Sequence, residues 1–135
     1  MSAEGAFQAA LATALRTAIG DRLNGVFEGP AVKATAPYAE LGELLSTDWS
    51  TKDAEGRELR SLVQMRDRAD TAVRLFALAG EADAAIRGVA PALGGWRIAS
   101  IVLVRSRIVQ SGVGQWTALI EHRARLLRDT SMGEG

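Results

Sequence analysis

His122 is the only histidine of the chain, and there is no cysteine, so few residues are equipped for chemistry. Without cysteine there is no disulfide, no thiolate nucleophile and no Cys-ligated metal site. A metal would have to use His122 with carboxylates alone, yet its neighbours at strand spacing are Ile120 and Ala124. By parity His122 falls on an apolar strand face, and a half-buried, hydrogen-bonded histidine is the expected role. Serine hydrolysis needs a base and an orienting acid beside the serine, and no G-x-S-x-G elbow is present. Gly112–Gly114 reads as a turn with no helix N-terminus behind it, so it lacks phosphate-binding geometry. Glu40 and Glu43 have odd spacing and should point to opposite faces of a strand, which makes a poor carboxylate pair. Arg123, Arg125 and Arg128 give some phosphate affinity, but a net charge of zero and no row of aromatics weaken a nucleic-acid reading. The expectation is a protein that is not an enzyme, with no catalytic, cofactor or metal residues.

The chain of 135 residues is 47% apolar and 24% charged, the range of one globular domain. Residues 1–86 carry nine Lys/Arg and thirteen Asp/Glu, whereas residues 87–135 carry seven Arg and three acids. Two readings of this split stay open: complementarity between neighbouring copies, or faces that are merely solvated. No run approaches the ~20 apolar residues of a membrane span, so no membrane is expected as a partner. The first twenty residues lack a positive leading region and carry Glu4, so a signal peptide is not expected.

The elements that would position these residues follow from periodicity. Phe7, Leu11, Leu15 and Ile19 recur every four residues, predicting a helix over 4–19 with Ser2 as N-cap and Gly20 as stop. After an irregular stretch in which "GVFEG" offers a short strand, Pro37 opens a strand at "YAELGELL". "ELRSLVQMRDR" is a second strand, with Leu59, Val63 and Met65 facing inward. "ADTAVRLFALAGEADAAIRGVAPAL" is helical, with Asp70 as N-cap and Ala72, Phe76, Ala79, Ile86, Val89 and Leu93 on the core face. "WRIASIVLVRSRIV" is the strongest strand. Trp96, Ile98, Val102, Val104 and Ile108 take one face, and Arg97, Arg105 and Arg107 the other, with Ile101 and Leu103. "WTALIEHRARLL" returns, with Trp116, Ala118, Ile120, Ala124 and Leu126 inward and Leu119, Glu121, Arg123 and Arg125 outward. Trp96 and Trp116 read as core residues, and the tail after Arg128 as frayed. The expected fold is α+β in helix-hairpin-helix-hairpin order, two helices packed on one face of a mainly antiparallel four-stranded sheet. It is one domain over 1–135 with an ordered core of about 4–128. The outward face mixes Arg with apolar residues, as protein interfaces do.

The first hairpin carries a long acidic tip, Ser46–Arg57, with Trp49 at its middle. Long loops of this kind tend to be functional. Either the tip is a docking arm with Trp49 as anchor, or the ring folds back on its own sheet. The candidate interface residues are Asp48, Trp49, Asp53, Glu55 and Arg57 of this tip and Arg105, Arg107, Arg123 and Arg125 of the last hairpin.

The block "APYAELGELLSTDWSTKDAEGRELRSLVQM" and the element order resemble tail terminator (tail completion) proteins of long non-contractile phage tails, especially those of gene transfer agents. The resemblance spans residues 4–128. It departs at "RDRADTAV", which is charged where the family has a hydrophobic or aromatic residue. It implies a structural protein of a virion or phage-like particle, assembled in the bacterial cytoplasm and placed at the head–tail junction. Six copies would form a ring that caps the tail tube protein, stops tube growth, and docks the head connector or stopper protein while DNA passes through. The alternatives are another neck component, or a dimeric α+β ligand-binding domain or enzyme.

Overall fold

The computed structural model describes residues 2–129; the expected frayed tail lies largely outside them. Helix α1, Ala3–Ile19, forms on the predicted stripe: Phe7, Leu11, Leu15 and Ile19 are fully buried. Ser2 Oγ accepts from the Gly5 N–H at 3.0 Å, satisfying one of the unpaired N-terminal amides. Gly20 ends the helix and begins a single 3-10 turn to Arg22. Arg22 grips the Glu81 carboxylate through both terminal nitrogens, at 2.6 and 2.7 Å.

The remaining elements are β1 (Val26–Phe27), β2 (Tyr38–Asp48), β3 (Gly56–Arg68), α2 (Val73–Arg87), β4 (Ala92–Leu93), β5 (Trp96–Gly112) and β6 (Gln115–Arg128). They build a six-stranded sheet of order β1-β2-β3-β6-β5-β4, in which β1 and β2 run parallel and all other neighbours antiparallel. The expected four-stranded antiparallel sheet in helix-hairpin order is therefore corrected. "GVFEG" and "AL" each supply a two-residue strand, one ahead of each hairpin, and these add an outer strand at either edge.

Nor do the two helices form a layer on one face of an open sheet. Helix α1 packs on α2 and touches β1 and β2 at one edge and β4 at the other, while α2 lies against β3, β5 and β6. One helix reaches both edges only because the sheet is curled. Register slips in β2 and β5 bend and twist those strands. The core fills the inside of the curl. At its centre Leu59, Val63 and Met65 of β3 stand opposite Ala124, Ile120 and Ala118 of β6, all fully buried. This is the period-two pattern read in the sequence.

Helix α2 starts at Val73 rather than near Asp70, and its buried stripe is Leu75, Leu78, Ala79, Ala82 and Ile86. Phe76, expected inside, is 62% exposed. The turn before α2 fixes its rotation. The buried Asp67 carboxylate accepts from Arg74 Nε (2.9 Å), from Arg74 Nη2 and from the Arg68 N–H (2.8 Å). Trp116 Nε1 donates to the Ala69 carbonyl at 3.1 Å. The charged segment "RDRADTAV" is thus clamped by an ion pair and an indole hydrogen bond.

Candidate functional site

Strands β2 and β3 run further than their composition suggests, so the tip between them is only residues 49–55. Its backbone is well satisfied. The Trp49 N–H donates to Gly56 O (2.9 Å) and the Thr51 N–H to Ala54 O (2.8 Å). Ser50 Oγ donates to Asp48 Oδ1 (2.6 Å) and accepts from the Gly56 N–H (3.1 Å). The Arg128 N–H donates to Glu55 O (2.7 Å), tying the tip to the end of β6. Trp49 is half-buried, with the Arg125 guanidinium 5.3 Å from the centre of its ring. Asp48, Asp53 and Glu55 are exposed. Arg57 stands opposite buried Leu126, on the inner side, near Glu4 at the start of α1. The Ser46 hydroxyl donates to Glu4 and is the main cause holding that carboxyl below its usual range, with the Arg57 charge adding to it.

Arg105, Arg107, Arg123 and Arg125 share the outer face of the sheet, since Arg105 stands opposite Glu121 and Arg107 opposite Leu119. Arg105 Nε and Arg60 Nη1 donate to Glu121 at 3.0 and 3.2 Å, and Arg125 Nε donates to Glu58 at 3.0 Å. The apolar residues of β5 are not where alternation put them. Register slips at Ile98/Ser100 and Leu103/Arg105 each add a residue and invert the side-chain alternation beyond it. Ile101 therefore turns inward, opposite Ala124, and Val102 turns outward, opposite Arg123. After the second slip Arg105 and Arg107 are back on the expected face.

Both long outer strands have bare edges among the described residues. Strand β1 covers β2 only at Ala39 and Glu40, and β4 covers β5 only at Trp96 and Arg97. Six consecutive residues of β5, Val102 to Arg107, are exposed, including Val102, Leu103 and Val104 at 38–40%. Phe76 and Leu103 line the same shallow hollow beside α2. Nothing in the composition distinguishes these edges from paired strands; only the topology reveals them.

His122 is fully buried rather than half-buried. Its Nε2 hydrogen-bonds Asp83 Oδ1 at 2.7 Å, so Nε2 carries the proton. Burial pushes its pKa down. Asp83 is held below the usual carboxylate range, chiefly by its bidentate pairing with Arg87 and further by His122. Ser61 stands opposite His122 across the β3–β6 ladder. Ser, His and Asp thus gather as in a hydrolase, but Ser61 is 2% and His122 0% exposed, and neither Ser61 Oγ nor His122 Nδ1 has a partner. Ser61 and His122 are sealed from solvent, while Asp83 is partly exposed and lines the hollow beside α2; the cluster links β6 to α2. Among the described residues no three His, Asp or Glu could hold a metal ion, and no helix is long and apolar enough to cross a membrane.

The profile of the family described as "Tail completion protein gp17" matches residues 5–126. No curated protein matches the chain by sequence. Among solved structures, a chain from the "Virion of native gene transfer agent (GTA) particle" superposes with a TM-score of 0.67 at 21% identity. The match covers 94% of this chain and 99% of that one, a likeness of fold.

Proposed function

Because the chain belongs to the tail completion protein gp17 family, a family of structural tail proteins rather than enzymes, we propose that it terminates a phage-like tail. Copies of the chain close into a ring on the last turn of the tube protein, block further addition, and offer the surface on which the head connector docks. DNA passes through the ring. The family match over residues 5–126 carries this reading, and the gene transfer agent virion whose chain has the same fold is consistent with it. Two surfaces of opposite charge support it further, because a head-to-tail ring needs two different, complementary patches on every copy. The acidic tip with Asp48, Asp53 and Glu55 is one, and the outer arginines Arg105, Arg107 and Arg123 are the other, while Arg125 is held within the chain by Trp49 and Glu58.

Removal of the chain from a producing cell tests the reading. Tails of uncontrolled length without heads are expected in electron micrographs, and tails of normal length joined to heads would rule it out. Tails of normal length that lack heads would instead make the chain a neck component. Within that assay, Trp49→Ala addresses the tip. Loss of a cation–π contact costs the isolated chain only about 0.5–1 kcal/mol, whereas an interface anchor costs 2 kcal/mol or more in assembly. A tail defect with a nearly unchanged melting temperature marks a contact residue; a large drop in melting temperature marks a residue that only staples its own hairpin.

A further inference from the structure

We infer that the bare edge of β5 on one copy pairs with the bare edge of β2 on the next, so that the sheet runs on from copy to copy. The inference rests on the ring reading above and identifies which surfaces close the ring. An unpaired strand edge presents a row of free N–H and C=O groups, and natural proteins shield such edges with short strands, charge or cover. Strand β5 uses charge at Arg105 and Arg107 and is bent by register slips, yet it is long and left almost uncovered. It spans Trp96–Gly112, is covered only at its start, and leaves Val102, Leu103 and Val104 exposed in succession. The β2 edge beyond Glu40 is bare as well, with Leu45 53% exposed.

Charge selects the pairing of unlike edges. Strand β5 contains Arg97, Arg105 and Arg107 and no acid, whereas β2 contains Glu40, Glu43 and Asp48 and no base. Two β5 edges would bring arginines together, and two β2 edges would bring carboxylates together. Like charges at such short range disfavour both. Joining β5 to β2 brings a basic edge beside an acidic one, and lets Leu45 meet the exposed valines. Glu40 and Arg105 are already engaged within the chain, with Arg66 at 3.4 Å and Glu121 at 3.0 Å, and Asp48 accepts from Ser50 Oγ, so Glu43 and Arg107 are the charges most open to the partner.

The test exchanges the charges. Arg105→Glu with Arg107→Glu reverses one edge, and Glu43→Arg with Asp48→Arg reverses the other. In cells lacking the chain, each double variant alone should lower the number of completed tails by about tenfold or more, because one tenfold step is only 1.4 kcal/mol per interface. Co-expression of the two doubles should restore completion, since a ring that alternates them has opposite charges at every junction. Rescue also shows that both variants fold. The purified doubles, sedimented separately and mixed, should form the assembled species only when mixed. Full completion with either double alone, or no rescue and no assembly in the mixture, overturns the edge pairing. The ring reading fails separately, if tails are completed when no chain is present; assembly in the mixture then still decides whether the edges pair.

Discussion

His122 illustrates how a residue equipped for catalysis becomes a structural one. Its Nε2–H meets Asp83, which Arg87 also holds, and the imidazole is sealed beneath α2. Burial penalises the charged ring more than Asp83 favours it, so its folded-state pKa lies below the unfolded one. The unfolded chain therefore binds the proton first as pH falls, and stability is lost below about pH 6.5, the unperturbed imidazole value. The loss is at most about 1.4 kcal/mol per pH unit. Asp83 has the opposite charge type but acts in the same direction, at lower pH: its contribution is lost as pH falls through the carboxylate range. Thermal melts at pH 7 and pH 5 should show wild-type protein losing stability while His122→Gln, which cannot titrate, changes much less. Equal losses in both proteins would place the cause elsewhere. The sequence placed His122 on an apolar face by parity, but its partner Asp83 lies 39 residues away on a helix, and no spacing rule reveals such a contact.

At the scale of elements, what was legible in the sequence is what alternates cleanly. Strands β3 and β6 are paired without a register slip, and their inward residues are those read from period two. Strand β5 contains slips, and a strand that carries an extra residue offers no compositional sign of it, so alternation puts Ile101, Val102 and Leu103 on the wrong sides. Of the two-residue edge strands, "GVFEG" is offered by the sequence as a short strand, but Ala92–Leu93 is not, because two residues have no period. The tip of the first hairpin was read as longer than it is because polar residues, Ser46 to Asp48, continue a strand as well as they make a loop. Its closure depends on Gly56. A Cβ there would lie 2.4 Å from the Trp49 carbonyl oxygen and 3.1 Å from Leu127. Backbone cannot yield as a flexible side chain can. Gly56→Ala should therefore cost about 1–3 kcal/mol, as overpacking usually does, measured by denaturant unfolding. A loss below about 0.5 kcal/mol would mean that the tip adjusts freely and is not the rigid turn described here.

Across the whole molecule, chain order and sheet order are related in a simple way. Each half supplies a helix, a short strand and a hairpin, and the halves meet at β3 and β6 in the middle of the sheet. The two outer strands differ in charge along with this division: β2 carries Glu40, Glu43 and Asp48 and no base, and β5 carries Arg97, Arg105 and Arg107 and no acid. Assembly of copies through these edges should weaken by severalfold when salt rises from 0.05 to 0.5 M, because screening shortens from more than ~10 Å to a few ångströms. An affinity that salt leaves unchanged would assign the contact to apolar residues such as Leu45 and Val104. The strand directions carry one more consequence. Four long strands separate one bare edge from the other, and they alternate up and down. An even number leaves β2 and β5 pointing oppositely, so in the proposed ring copies turned about an axis along the strands would meet antiparallel, however many close the circle. With an odd number every junction would be parallel.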